Sequence, residues 1–282
     1  MSGKTGDKTF EFKDIHWELY RKTLIPAEPP DRNIPLKQED CHELLLNTNS
    51  WLIRWPSQWD KNEVSAFWYV IKDDYKGLEE FSRNTRSKIR RGLKKNVVRQ
   101  VEKKELKKQG YHVYKRAFSR YNKSLRPLNR HRFFQRLEGL DSDQHEFWGV
   151  YQGNSLIAYA EIRKLEDVIN TSVLKFHPSY LKDYSSYALL YTLIEHYLAK
   201  KKVRYITNGA RTISHDTNIQ SFLIGQFQFR KAYCKLNVCY RSLLSYIVHW
   251  AYPFRSLTGK LPIKPFKSLY SLLIQEYIRR NS

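Results

Sequence analysis

The run FHPSYLKDYSSYALL closes a β-rich stretch and opens a helix, and it carries the most legible chemistry in the chain. A helix start leaves its first amides without intrahelical partners and bears a partial positive charge. The backbone at Tyr184, Ser185, Ser186 and Tyr187, helped by the ammonium of Lys182, therefore has the means to hold a pyrophosphate. A second anion-binding feature lies on the helix from Leu78, where Arg83, Arg86, Arg90 and Lys94 form a basic ridge flanked by Lys88, Arg91 and Lys95. The same ridge reads equally well as a solvated helix face. Further on, ITNGARTISHDTN offers Asn208, Arg211 and His215. His215 is an oriented base if Asp216 fixes its imidazole, and an ordinary loop histidine otherwise. Neither HExxH nor GxSxG occurs, so nothing supports metal-dependent or serine hydrolysis.

These groups need elements to position them. HEFWGVYQ and SLIAYAEIRKL, separated by Gly153 and Asn154, read as a hairpin with a two-residue turn. A third strand follows at 169–176, then an amphipathic helix at 185–199 and a strand at 203–207. Thr217 and Gln220 have the spacing of a capping box and predict a helix running to Gly225, after which a strand at 229–240 closes the unit. Upstream, strands are expected at 51–55 and 67–72, and a helix from Leu78 with Leu78, Phe81, Thr85, Ile89 and Leu93 as its buried stripe. A strand at 97–101 and helices at 106–121 and 132–137 come next. Residues 1–50 read as a helical arm, with an aromatic helix at 17–23, a proline-broken stretch and a helix at 40–46. The expected division is thus an arm at 1–50, a domain at 51–240 and a tail at 241–282.

A chain of 282 residues with 41% hydrophobic side chains can bury a core. Its formal charge of +22 favours an anionic partner, whether a phosphate-bearing molecule, an RNA or the inner face of a membrane. Cys41, Cys234 and Cys239 show no CxxC spacing, and the N-terminus has no apolar signal run, so reduced thiols and a cytoplasmic location are expected. The tail carries a short apolar helix, SLLSYIVHWA, and a second segment, SLYSLLIQEYIRR, flanked by Arg255, Lys260, Lys264, Lys267, Arg279 and Arg280. Two readings stay open for it: attachment to a membrane surface, or docking on the chain's own domain.

Three antiparallel strands, a helix, a strand, a helix and a strand, in that order, resemble the GNAT fold of acyl-CoA N-acyltransferases. Pro178 and Tyr180 match its V-x-P-x-Y pattern, while Asn218, Phe222, Phe227 and Phe229 fall close to its N-x-x-A and G-F pattern. Tyr184, Ser186 and Gln228 stand where those patterns carry Gly or a small residue. The basic helix NTRSKIRRGLKK and the glycine-poor loop are similar to the Fem-type aminoacyltransferases and their relatives in polysaccharide clusters. The resemblance implies an α+β fold: a mixed sheet with splayed central strands, flanked by helices. It implies acyl or aminoacyl transfer to an amine, on a glycan or lipid-linked precursor, from acyl-CoA (acetyl-CoA among others) or aminoacyl-tRNA, without a metal.

The donor would lie against Phe176, Lys182, Tyr184, Ser185, Ser186, Tyr187, Asn218 and Phe222, and a tRNA backbone against Arg86, Arg90, Arg91 and Lys94. Glu161 stands where such enzymes present a carboxylate base, although an outward-facing strand charge is the plainer reading, and Asn208, Arg211 and His215 follow the strand that opens the cleft. Ile224 occupies the place of the usual tyrosine acid. The acid is therefore Tyr233 or water, or the chain is a non-catalytic basic protein that binds RNA or a membrane and retains the fold.

Overall fold

The computed structural model describes residues 8–20, 22–119, 127–213, 218–258 and 264–282. From the N-terminus come β1 (Lys8–Phe12), β2 (Ile15–Tyr20), β3 (Thr23–Pro26), α1 (Gln38–Asn47), β4 (Leu52–Ser57) and β5 (Phe67–Lys72). Next are α2 (Arg83–Lys95), β6 (Val97–Val101), α3 (Lys103–Glu105), α4 (Tyr111–Phe118), α5 (Arg130–Glu138), β7 (His145–Gln152), β8 (Ser155–Leu165) and β9 (Val168–Phe176). The chain finishes with α6 (Ser185–Ile194), β10 (Tyr205–Ala210), α7 (Asn218–Phe227), β11 (Arg230–Tyr240), α8 (Ser242–Ala251), α9 (Arg255–Thr258) and α10 (Lys264–Arg280). Contacts gather these elements into two compact units, one built from 71–209 and 219–230, the other from 7–70, 210–218 and 231–282.

In the first unit the strands run in the order β6, β7, β8, β9, β10, antiparallel except for the parallel pair β9 and β10. Gly153 turns the β7–β8 hairpin with φ of 57°, a left-handed conformation that glycine adopts without strain. Along β8 every residue from Leu156 to Glu161 is buried, and so is Ile162, because helices cover both faces of the sheet. Leu106, Val113, Phe133, Leu137, Phe147 and Tyr159 form one of its cores, each large side chain contributing roughly 1.5–3 kcal/mol of burial.

The helix α2 starts five residues later than Leu78, after a 3₁₀ turn at Leu78–Glu80, with the Ser82 hydroxyl accepting the Thr85 N–H at 3.2 Å. Its buried face is Thr85, Ile89 and Gly92, while Leu93, expected in the stripe, is 41% exposed. Gly92 takes the place because α6 comes too close for a side chain. A Cβ there would stand 2.6 Å from the Tyr184 carbonyl oxygen and 3.3 Å from the Ala188 Cβ. Gly92→Ala is therefore expected to cost about 2 kcal/mol net, overpacking outweighing the better helix propensity of alanine. Urea denaturation would check it, and an unchanged midpoint would contradict so tight an approach.

The second unit has the strand order β1, β2, β3, β4, β11, with β3 and β4 parallel and the others antiparallel. Here the expectation of a helix at 17–23 fails, and β2 and β3 take its place. Lys13 and Asp14, with φ of 52° and 57°, form the two-residue turn that pairs Phe12 with Ile15, and alternation then buries Ile15 and Trp17. The helix expected at 40–46 is present as α1, and Leu44 and Leu45 pack with Trp17, Leu24 and Ile53. In the tail, α8 and α10 bury Leu244, Val248 and Leu273 against Leu52. Among the described residues no helix is long and apolar enough to cross a membrane.

Candidate functional site

The parallel strands β9 and β10 pair only through Tyr205 with Val168, Ile206 with Ile169 and Thr207 with Asn170. Beyond that β9 continues to Phe176 with β8 as its partner, Phe176 lying half-buried opposite Ala158. Asn208 bridges the point of parting: its amide nitrogen donates to the Thr171 carbonyl at 3.1 Å and to the Thr171 hydroxyl at 2.9 Å, and that hydroxyl donates to the Thr207 carbonyl. Asn208 thus fixes the edge of a gap in the sheet.

Past β9, a 3₁₀ turn at Pro178–Asp183 leads into α6. Tyr184 precedes the helix with φ of 57° and ψ of 31°, and no side chain caps the first turn. Gln228, in the second glycine position, has φ of 54°. Both residues keep the left-handed backbone that glycine would supply, at a cost of about 1–2 kcal/mol each. Ser185 is fully buried and its hydroxyl turns back to the Tyr180 carbonyl, while Ser186 and Tyr187 are 9% exposed. The first residues of α6 are therefore largely enclosed.

Cationic side chains of α2 lie beside this helix start. Lys88 donates to the Tyr187 hydroxyl at 3.4 Å and lies 5.3 Å from its ring centre, and Arg91 donates to the Tyr184 hydroxyl at 3.4 Å. Neither has a carboxylate partner among the described residues. Lys95 is paired with Asp183 at 2.6 Å and holds that carboxyl below its ordinary range. The rest of the expected quartet divides: Arg86 and Arg90 both pair with Glu79, while Lys94 is exposed. Lys182 is exposed beside Asp183. Phe222 meets Tyr187 edge-on at 5.2 Å. The Gln226 side-chain amide oxygen, which the sequence did not single out, accepts from the Tyr187 hydroxyl at 3.3 Å and from the Thr85 hydroxyl at 3.1 Å, tying α2, α6 and α7 together.

The residues expected to be catalytic are each placed differently. Glu161 is neither a free base nor an outward charge: it is 1% exposed and bonded through both oxygens by the Arg136 guanidinium of α5. Burial opposes the charge on Arg136, yet the Glu161 pair holds its pKa above the ordinary value. Arg211 is in the second unit, its backbone N–H donating to the Trp68 carbonyl and its guanidinium to the Ala66 carbonyl at 2.8 Å. Asn218, the exposed first residue of α7, makes no side-chain hydrogen bond to a described residue. His215 and the cap expected at Thr217 lie outside the described residues. No group of three His, Cys, Asp or Glu among the described residues could hold a metal. An open groove of about 1090 Å³ runs along β6, its wall carrying charges of both signs, among them the ion pairs Arg99–Glu105 and Lys107–Glu138.

Two histidines titrate unusually. His177, stacked on His112 at 5.4 Å, has its pKa lowered by burial and then by His112 and Arg116, and His196 has its pKa lowered by burial and then by Lys201. The unfolded chain takes up protons here that the folded chain refuses, so this stability is complete above about pH 6.5 and declines as pH falls below it. Melting temperature should therefore drop between pH 7.5 and 5.5, before the carboxylates titrate, and His177→Gln should reduce the slope.

The fold is α+β and GNAT-like, a mixed sheet opened between β9 and β10 and flanked by helices. Among solved structures the chain is similar to FemX (TM-score 0.57, 11% identity, covering 86% of this chain and 90% of that one). It is similar also to L-PGS from Bacillus licheniformis (0.56, 12%, 99% and 90%). A third is the C-terminal domain of a putative lysylphosphatidylglycerol synthetase from Agrobacterium fabrum (0.50, 12%, 83% and 84%). By sequence the chain matches no family model and no curated protein.

Proposed function

We propose that the chain is an N-acyltransferase of the Fem-like kind, moving an acyl or aminoacyl group from a phosphate-bearing donor to an amine on a glycan or lipid-linked precursor. The observation that carries this reading is the early parting of β9 from β10, with Lys88 and Arg91 set beside the start of α6. Two cations whose described side-chain hydrogen bonds go to tyrosine hydroxyls rather than carboxylates are available to an incoming phosphate. The enclosed amides at Ser185–Tyr187 leave a CoA pyrophosphate less room than a glycine loop, which favours aminoacyl-tRNA over acyl-CoA as the donor. Arg91 and Lys94, exposed on one helix, suit contact with its backbone. When bound, the donor supplies the activated carbonyl; the chain's share is to orient it and keep it beside the gap.

A second reading, a basic RNA-binding protein that retains the fold without the chemistry, draws on Glu161 and Asn208 both being engaged in structural bonds. Calorimetry with aminoacyl-tRNA, uncharged tRNA, acetyl-CoA and longer acyl-CoAs separates the two. The enzyme is expected to prefer the charged tRNA, whereas the binding protein would ignore aminoacylation and lose affinity steeply with salt. No binding by any of the four would remove the transferase reading.

A further inference from the structure

The C-terminal helix α8 is apolar on two faces, and only one of them is used. Leu244 and Val248 pack into the second unit with Leu52 and Leu273. On another face Leu243 is 73% exposed, Tyr246 68%, Ile247 44% and Trp250 74%, at spacings of three, one and three that put them on one stripe. The segment after it adds Phe254 and Leu257, each 59% exposed. Trp51, whose carbonyl accepts the Arg241 N–H at the start of α8, is 55% exposed as well. So many large apolar groups left together in water mark a surface with a partner.

Charge identifies the partner. From Arg241 to Gln275 the sequence contains no Asp or Glu, while Arg241, Arg255, Lys260, Lys264 and Lys267 are all cationic. Arg255 is held at the far end of the stripe, 4.7 Å from the Tyr252 ring centre. An acid-free cationic stretch bearing a Trp, Tyr, Phe and Leu ridge is what an anionic lipid surface asks for: rings and leucines enter the headgroup boundary, and cations meet phosphates. At ten residues α8 is about 15 Å long and can lie in the interface without crossing it.

We infer that the stripe Leu243, Tyr246, Ile247, Trp250 and Phe254 seats this protein on an anionic bilayer surface. The inference does not depend on the transferase reading, since it rests on another unit and another helix. Flotation of the full chain with phosphatidylcholine vesicles, with and without phosphatidylglycerol, tests it. Wild type is expected to float with the anionic vesicles and stay behind with the neutral ones. Leu243→Ser with Trp250→Ser should reduce binding by about tenfold or more, and their exposure leaves the melting temperature where it was. Equal flotation of wild type and the double variant would overturn the inference, as would failure to bind anionic vesicles. So would a concentration-dependent dimer in sedimentation velocity that the same pair of changes abolishes, because the face would then belong to a second copy.

Discussion

With Lys88 and Arg91 both reversed to glutamate, the chain is expected to lose its donor while keeping its fold. A charge-assisted hydrogen bond contributes about 1.5–3 kcal/mol, so losing two weakens binding by roughly a hundredfold or more. Neither cation neutralises a carboxylate among the described residues, so the reversal orphans no buried charge, and the unfolding midpoint should move little. Arg86→Glu with Arg90→Glu is the control: both guanidiniums are already drawn to Glu79, and donor affinity should change far less. A glutamate at Ser185 would not serve, because that residue is fully buried and the charge would unfold the helix start. Calorimetry beside thermal melts reads both quantities, and donor binding left intact in the Lys88 and Arg91 variant would move the phosphate contact away from α2.

Arg136→Ala is expected to be among the most damaging single changes in the first unit. It strands the Glu161 carboxylate at 1% exposure, and breaking a buried pair from one side costs about 3–5 kcal/mol. Glu161→Gln should cost less, about 1–3 kcal/mol, since the amide still accepts one bond. Replacing both by leucine should recover much of the loss, because desolvation of both charges disappears with their attraction. The same variants examine the chemistry. A general base would lose turnover in Glu161→Gln with stability unchanged; a structural pair loses stability first, and activity follows the folded fraction. A stable, inactive Glu161→Gln protein would restore Glu161 as the base.

What could be read in the sequence followed from local rules. The β7–β8 hairpin was announced by Gly153 between two alternating runs, and α6 by its apolar face after Pro178. The misses came from partners far along the chain. β2 is a strand because β1 and β3 lie on either side of it, and the six residues IHWELY do not carry that information. Glu161 looked like a base or a surface charge because Arg136, 25 residues earlier on another helix, is invisible to any motif. On α2 the buried face turned out to include a glycine, which hydrophobic periodicity does not score, so Leu93 was placed inside and lies outside. Gln226 gave no signal at all; only the meeting of three helices makes its side-chain amide oxygen a junction.

Tyr184 and Gln228 have a consequence for how such chains are found. Spelled in letters they count as two mismatches to a glycine pattern, while their φ angles, 57° and 54°, lie in the left-handed region that glycine favours. At Tyr184 the bend is kept with a phenol attached where a glycine would carry a hydrogen. A search keyed to dihedral angles at these two corners, indifferent to residue type, would gather kin that alphabet-based profiles pass over.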